Sequence, residues 1–551
     1  VGSQRGALLP AMSSRVLPRA RASAPVPPTP STRDLRLLRT HARRVAVARR
    51  ASRVMSACAA SLSPHQVPTT TTHDVVVVGN GPIGSAVARH VAAAGASVCV
   101  IDGRDSLTSA WNDEGRIVRP LDAEGRSCWQ SWNLESLEGF PALQAESGVE
   151  FFTKCGSLAC GTEAWVANPA KRLTEAGVDF TWHENGTAVE KRFPYLSVPQ
   201  THVAVSDAAG GFVNPKRMIQ AQNIVMMMTA AGNEMTRVGD DETRRDNSDE
   251  GNDDTRRGNS NGPFEKENAF ANKNLVVLES AVAVRAANGE SPFVETAEGG
   301  ARVAKLVVLA GGAYIKALAK VSGLTATTKS GSNNQQVSLD ASVGVASIRL
   351  SRRTVLLAEV TSNEATSTLK HMPTVKYQWA PSENSGCDDQ SNSSATTPAQ
   401  TSTSTHGANE QMSVYVLPPI RYPGPDPPQG WYVKIGGGAN DFFDDDTDEN
   451  NTVEALREWM AGSGDDAVAD RLHEVLVSLM PRTNFLTLVT KPCVTTCTAD
   501  GELQIEKLGP DGAVVAVSGC QGKAAGPADA IGRAVARQVV ETLKEQAGRG
   551  G

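Results

Sequence analysis

Between His73 and Asp102 the chain reads HDVVVVGNGPIGSAVARHVAAAGASVCVID, joining an unbroken apolar run, a glycine-rich turn, a helix-spaced stretch of small residues, a second apolar run and a terminal acid. Continuous β-branched runs such as Val75–Val78 suit strands of a parallel sheet buried on both faces, so the stretch predicts a βαβ unit with its helix starting near Pro82. Further apolar runs at Asn274–Val284 and Ala304–Ala310 are expected to complete the same sheet. Ser413–Leu417 and Trp431–Ile435 read as paired strands around a Pro-rich loop, and Val514–Val540 as strand, glycine turn and helix. Gly210–Gly232 opens on a turn and becomes a helix with Met218, Ile219, Ile224, Val225 and Met228 at roughly helical spacing, a core face.

Three stretches lack the apolar content to pack. Residues 1–72 are rich in Arg, Ala, Ser and Pro, have no Lys and hold one acid, Asp34; they read as an organelle transit peptide, for chloroplast or mitochondrion, or as a disordered basic tail. Glu234–Lys273 is dominated by Asp, Glu, Arg, Asn and Gly, and Pro381–Glu410 by Ser, Thr, Asn and Gln; both are expected as solvated inserts. The acidic run Asp441–Asn451 is expected as a solvated turn. About 410 of the 551 residues remain, enough for two lobes around one ligand.

Composition changes this picture only by exclusion. A formal net charge of −6 with no basic stripe in the ordered part points away from nucleic acid. No apolar run approaches the ~20 residues needed to span a bilayer. Nine cysteines, an odd number without metal-ligand spacing, suggest neither a disulfide framework nor a zinc site.

The glycine turn carries the first candidate chemistry. Gly79 permits the tight exit from the strand, Gly81 the close approach of backbone to a pyrophosphate, and Gly84 close packing of helix on sheet. The helix N-terminus then faces the phosphates, and Asp102 is placed to accept from ribose hydroxyls. FAD and NAD both fit this motif. Gly311, after the run ending at Ala310, and Gly519 and Gly522, before the last helix, are further points of close backbone approach.

Four longer motifs carry a resemblance: GRIVRPL at Gly115–Leu121, FFTKCGSLACG at Phe151–Gly161, GGFVNPKRMIQA at Gly210–Ala221 and KLVVLAGGAYIKAL at Lys305–Leu318. In order and spacing the chain resembles the FAD-dependent amine oxidoreductases of the D-amino-acid oxidase superfamily, the sarcosine-oxidase and N-methyl-amino-acid oxidase branch most of all. The resemblance implies an α/β fold, α+β in the second lobe, in which a Rossmann-like FAD-binding domain is interleaved with a mixed-sheet substrate domain. The FAD-binding parts are expected at 73–150, 210–320 and 491–551, and the substrate-domain parts at 151–209 and 321–490. FAD becomes the expected cofactor, with a small amine as substrate and oxygen as acceptor.

The same resemblance assigns roles. Cys493, in KPCVTTCTAD, falls where part of the family attaches its flavin through a thioether, although a cysteine is ordinarily a small buried apolar residue. Lys434, in WYVKIGGG, matches the lysine that assists oxygen reduction beside the flavin; a lysine on an alternating strand is otherwise a solvated surface residue. Arg119 matches the anchor of the substrate carboxylate and Arg116 neighbours it on the flavin side, with structural ion pairs as the alternative use of both. The chain departs from the pattern at Gly438, Thr495 and Gly526, where the branch carries a histidine, an aromatic residue and a lysine. These losses suggest a wider, less charged pocket. They also keep two other readings open: a flavin dehydrogenase of an amine or hydroxy acid that reduces a quinone or carrier, and a non-catalytic FAD-binding assembly protein.

Overall fold

The computed structural model describes residues 71–103, 109–120, 127–229, 275–277, 279–287, 289–297, 299–324, 344–379, 412–443, 449–509 and 512–549. The basic segment before Thr71 and the polar inserts 234–273 and 381–410 lie outside them. Among the described residues the strands form sheets of eight, nine and three strands.

The expected βαβ unit is present. Thr71–Val78, Pro82–Ala93 and Val98–Ile101 are strand, helix and strand, and the strands pair in parallel from Val75 opposite Val98 to Val78 opposite Ile101. Each residue of Val75–Val78 is at most 5% exposed, which is why the run carries no alternation. Ala301–Leu309 pairs in parallel with the other edge of Thr71–Val78, and Val514–Ser518 pairs in parallel beside Ala301–Leu309. The helix Ala528–Arg549 then packs across Pro82–Ala93, where a side chain at Gly532 would place its Cβ 2.4 Å from the Cβ of Ala86.

The nine-stranded sheet forms the second lobe. Its central strands are Arg349–Val360, Gly430–Gly437 and Met412–Tyr422, antiparallel in that order, so the expected hairpin around the Pro-rich loop is there. Thr374–Trp379 continues the sheet, and Leu488–Cys497 pairs with Arg349–Val360 along its length. The helix Asp466–Leu479 buries Leu472, Val475, Leu476 and Leu479 against one face. The other face looks back toward the first lobe. The three-stranded sheet of Arg116–Val118, Gly211–Val213 and Phe152–Lys154 joins the two.

Four expectations are corrected. The run Asn274–Val284 is two strands: Leu275–Val277 pairs with Val98–Ile101, while Ala281–Arg285 lies at the opposite end of the sheet beside Phe293–Thr296. The break falls at Glu279, whose carboxylate takes Arg302 rather than a ladder position. In the helix over 215–229, Met228 is 54% exposed and Met226 is buried in its place, because the core face continues from Met218 and Val225 by helical steps. The acidic run Asp441–Asn451 opens on the short strand Asp441–Phe442, held by Arg352, and closes within the helix Glu449–Ala461. Last, the boundary at 490–491 cuts a strand: Leu488–Cys497 belongs to the nine-stranded sheet, and the chain returns to the first sheet only at Gln504–Leu508.

The helix crossing is testable. Gly532→Ala should lower stability by about 1–3 kcal/mol through overpacking, read as a lower urea midpoint at unchanged slope; an unchanged midpoint would mean the helices do not approach this closely.

Candidate active site

The carboxyl ends of Thr71–Val78, Val98–Ile101, Ala301–Leu309 and Val514–Ser518 converge on one crevice, the position at which open parallel sheets bind ligands. It opens into a cavity of about 1380 Å³ that extends from the glycine turn to the inner face of the nine-stranded sheet. Ordinary small-ligand pockets span ~300–1,000 Å³, so this one has room for a dinucleotide and a second molecule.

At the crevice end the three glycines do different work. Gly79 has a φ of +102°, and a Cβ there would meet the Ala310 carbonyl at 2.5 Å. A Cβ at Gly84 would stand 1.8 Å from the Gly79 carbonyl, so this glycine seats the helix on the turn. Gly81 caps the helix Pro82–Ala93 without any side-chain hydrogen bond and lines the cavity, which leaves first-turn amides for an anion. Asp102 also lines it and accepts from the Asn80 amide at 3.0 Å; burial raises its pKa. Gly311 lines the same wall, and Gly519 and Gly522, at φ +73° and +67°, form the turn into the last helix, with Gly522 on the cavity surface.

At the other end the expected residues meet around one that sequence reasoning missed. Asp113, 9% exposed, takes ion pairs from both Arg116 and Lys434, a hydrogen bond from the Tyr422 hydroxyl at 2.7 Å and one from the Glu114 amide at 2.7 Å. Burial opposes its charge, yet Lys434 and Arg116 hold its carboxyl well below the usual carboxylate range. Lys434 is 1% exposed, not a solvated strand residue, and also donates to the Gly115 carbonyl at 3.1 Å. Burial and the adjacent Arg116 lower its pKa to about 8.

Arg116 donates to the carbonyls of Gly115 at 3.0 Å and Ala110 at 2.7 Å, and its Nη2 lies 4.0 Å from the Cys493 sulfur. Its guanidinium is therefore a strut between Asp113 and Cys493. Cys493 itself is half-buried on the cavity surface, and Thr495 lies beside it. Arg119 lines the cavity, and its Nη1 is buried without a hydrogen-bond partner among the described residues.

The wider, less charged pocket expected from Gly438 and Gly526 is corrected. A Cβ at Gly526 would meet the Ile117 carbonyl at 2.5 Å, so the strand Arg116–Val118 occupies that space. Arg353 donates to the Gly438 carbonyl at 2.9 Å from the neighbouring strand and lines the cavity, as do Lys376 and Lys523. Tyr415 was also missed; it lies over Gly436, where a Cβ would stand 2.5 Å from its hydroxyl. Alternation along Met412–Tyr422 and Thr374–Trp379 places Tyr415 and Lys376 opposite each other on one face, but only the pairing of the strands reveals it.

Residues 74–233 match the family described as FAD dependent oxidoreductase. Over that segment the chain is similar to it. A stretch of the chain is 29% identical over 157 residues to monomeric sarcosine oxidase of Bacillus sp. (strain B-0618), covering 28% of this chain and 40% of that protein. It is 24% identical over 164 residues to N-methyl-L-tryptophan oxidase of Yersinia pestis (strain Pestoides F), covering 29% and 43%. The match therefore spans about two fifths of these relatives' length. The fold extends further: NikD, described as an unusual amino acid oxidase essential for nikkomycin biosynthesis, superposes with a TM-score of 0.54 at 16% identity over 85% of this chain and 94% of its own. FAD is the cofactor of the family, and the residues present fit it, since the uncapped helix start, the Gly81 approach and the cavity volume are the cradle a dinucleotide needs.

Asp113→Ala would leave two buried cations without their counter-charge and should cost about 3–5 kcal/mol, measured as a fall in the denaturant midpoint. A change within ~0.5 kcal/mol, typical of surface sites, would show that the cluster bears no such weight.

Proposed function

We propose that the protein oxidises the C–N bond of a secondary or primary amine that carries a carboxylate, with FAD as the immediate acceptor and oxygen as the final one. The observation that carries this reading is Arg119, a half-buried arginine whose buried Nη1 has no hydrogen-bond partner among the described residues, in the same cavity as the glycine turn, Cys493 and Lys434. A guanidinium with a buried donor unused by the described residues suits a ligand carboxylate, and bidentate capture fixes the direction in which the amine points.

When bound, FAD supplies an acceptor for the hydride equivalent from the amine's carbon and a route for the electron pair to oxygen, giving hydrogen peroxide. The chain's own residues do the rest. Arg119 and the wall of Tyr415 and Leu417 place the amine in a fixed orientation. The positive surroundings of Arg116, Arg119 and Lys434 favour the neutral amine over its ammonium form, the protonation state from which hydride can leave. Lys434 holds a proton at Nζ, and Asp113 and the Gly115 carbonyl fix it against the sheet. Cys493 stands on the cavity surface with the Arg116 guanidinium 4.0 Å from its sulfur, a position within reach of a bound cofactor that supports a thioether link.

The same ion pair favours one second reading. A lysine already matched by Asp113 offers less charge to developing superoxide, which suits a dehydrogenase that reduces a quinone or carrier protein.

The deciding experiment separates the half-reactions. Lys434→Met should slow reoxidation by oxygen at least tenfold more than anaerobic reduction by an amine, and equal losses would remove its oxygen role. In the unaltered enzyme Lys434 carries its charge below about 8 and loses it above, so the reoxidation rate should fall as pH rises through that value. A rate flat from pH 6.5 to 9.5, together with turnover on a dye acceptor, would favour the dehydrogenase.

The link has its own test. Acid precipitation should carry the flavin absorbance into the pellet for the unaltered chain and release it from Cys493→Ala; release from both would rule out attachment at this cysteine.

A further inference from the structure

The indole of Trp111 borders the glycine turn. Gly81 is the point at which backbone and pyrophosphate come closest, and the space left by its missing Cβ is edged by Cδ1 and Nε1 of Trp111, 3.3 and 3.5 Å from the Cβ position. Both residues line the cavity, and Trp111 is half-buried there. The part of the ring that stands beside the turn is therefore the one that carries the N–H. An indole nitrogen can only donate, and no described residue accepts from this one.

The turn itself is short of donors. Its sequence GNGPIG carries no charged side chain, Gly81 caps the helix without a side-chain hydrogen bond, and Pro82 in the first helical position has no N–H to give. A neutral donor at the rim suits a pyrophosphate there, because it adds a charge-assisted hydrogen bond without burying a further cation. The tryptophan is also held in place. The carbonyls of Ser109, Ala110 and Trp111 accept from the Asn112 amide at 3.1 Å, from Arg116 Nη2 at 2.7 Å and from the Asp113 amide at 2.7 Å. Its backbone is thus fixed by the same Asp113 and Arg116 that form the buried cluster with Lys434.

We propose that Trp111 is a cofactor-binding residue, its indole N–H donating to a pyrophosphate oxygen of FAD beside Gly81. The inference concerns the cofactor and holds whichever amine is oxidised. One turn, residues 109–113, then serves both ends of the cavity: Asp113 orders the cations at the sheet end, and Trp111 holds the phosphates at the crevice end. A tryptophan placed by a rigid cluster needs no reorganisation to meet its ligand.

The test uses the FAD-loaded chain in a Cys493→Ala background, which keeps the cofactor exchangeable whether or not the thioether forms. Trp111→Phe retains an aromatic ring and removes the N–H. It should raise the FAD dissociation constant roughly 10- to 100-fold, the worth of one hydrogen bond to a charged group, measured by the flavin fluorescence regained on dilution. The phosphorus resonances of the bound pyrophosphate should move in the same variant. Trp111→His, which keeps a ring N–H, should recover part of the affinity. An unchanged dissociation constant in Trp111→Phe overturns the proposal, as does an equal loss in Trp111→Phe and Trp111→His. A raised constant with unmoved phosphorus resonances would reduce the ring to packing against Gly81 and overturn the donor role as well.

Discussion

The charge of Asp113 sets the geometry of this protein's site. It lies immediately before the strand Arg116–Val118, which belongs to the small sheet joining the lobes, and its two principal partners come from different places: Arg116 from that strand and Lys434 from the middle of the nine-stranded sheet. A buried ion pair of this kind contributes little net stability compared with well-packed apolar residues, because desolvation consumes most of the attraction. What it provides is discrimination. Sliding one lobe against the other would strand three charges in a medium that penalises each, so the angle between the flavin crevice and the substrate wall is tightly constrained.

The positions of the other site residues depend on that constraint. With Arg116 pinned by Asp113 and two carbonyls, its outer nitrogen reaches Cys493, and with Lys434 pinned, the sheet presents Tyr415 and Leu417 to the cavity at a fixed depth. Arg119, two residues beyond the strand's centre, has a buried Nη1 with no hydrogen-bond partner among the described residues. Rigid elements thus fix Arg116 and Lys434, while Arg119 keeps one buried donor unused among the described residues.

How much of this was legible in the sequence depended on distance along the chain. The βαβ unit was, because its strand, turn, helix and acid lie within thirty residues and each leaves a local mark in residue type. The hairpin around the Pro-rich loop was legible for the same reason. Asp113 was not: its bond to Lys434 closes across 321 residues, and an acid in WNDEGR looks like any turn residue until the lobes are folded. The split of Asn274–Val284 was hidden because both pieces are apolar and β-branched, and only pairing tells the two edges of a sheet apart. Gly526 misled in an instructive way, since a glycine in a pocket motif reads as vacated space when here it marks where another backbone passes.

The strand Ala301–Leu309 serves two partners along one edge: Phe293–Thr296 beside its first half and Val514–Ser518 beside its second. Its other edge pairs with Thr71–Val78. The central sheet is thus assembled from segments hundreds of residues apart, and loop closure over such lengths precedes any reward from the contacts it makes. On the ribosome the first βαβ unit emerges long before its neighbours on that side, with an unpaired apolar edge and no last helix to cover it. Biogenesis of this chain therefore carries a waiting period in which its most recognisable motif is also its most aggregation-prone surface.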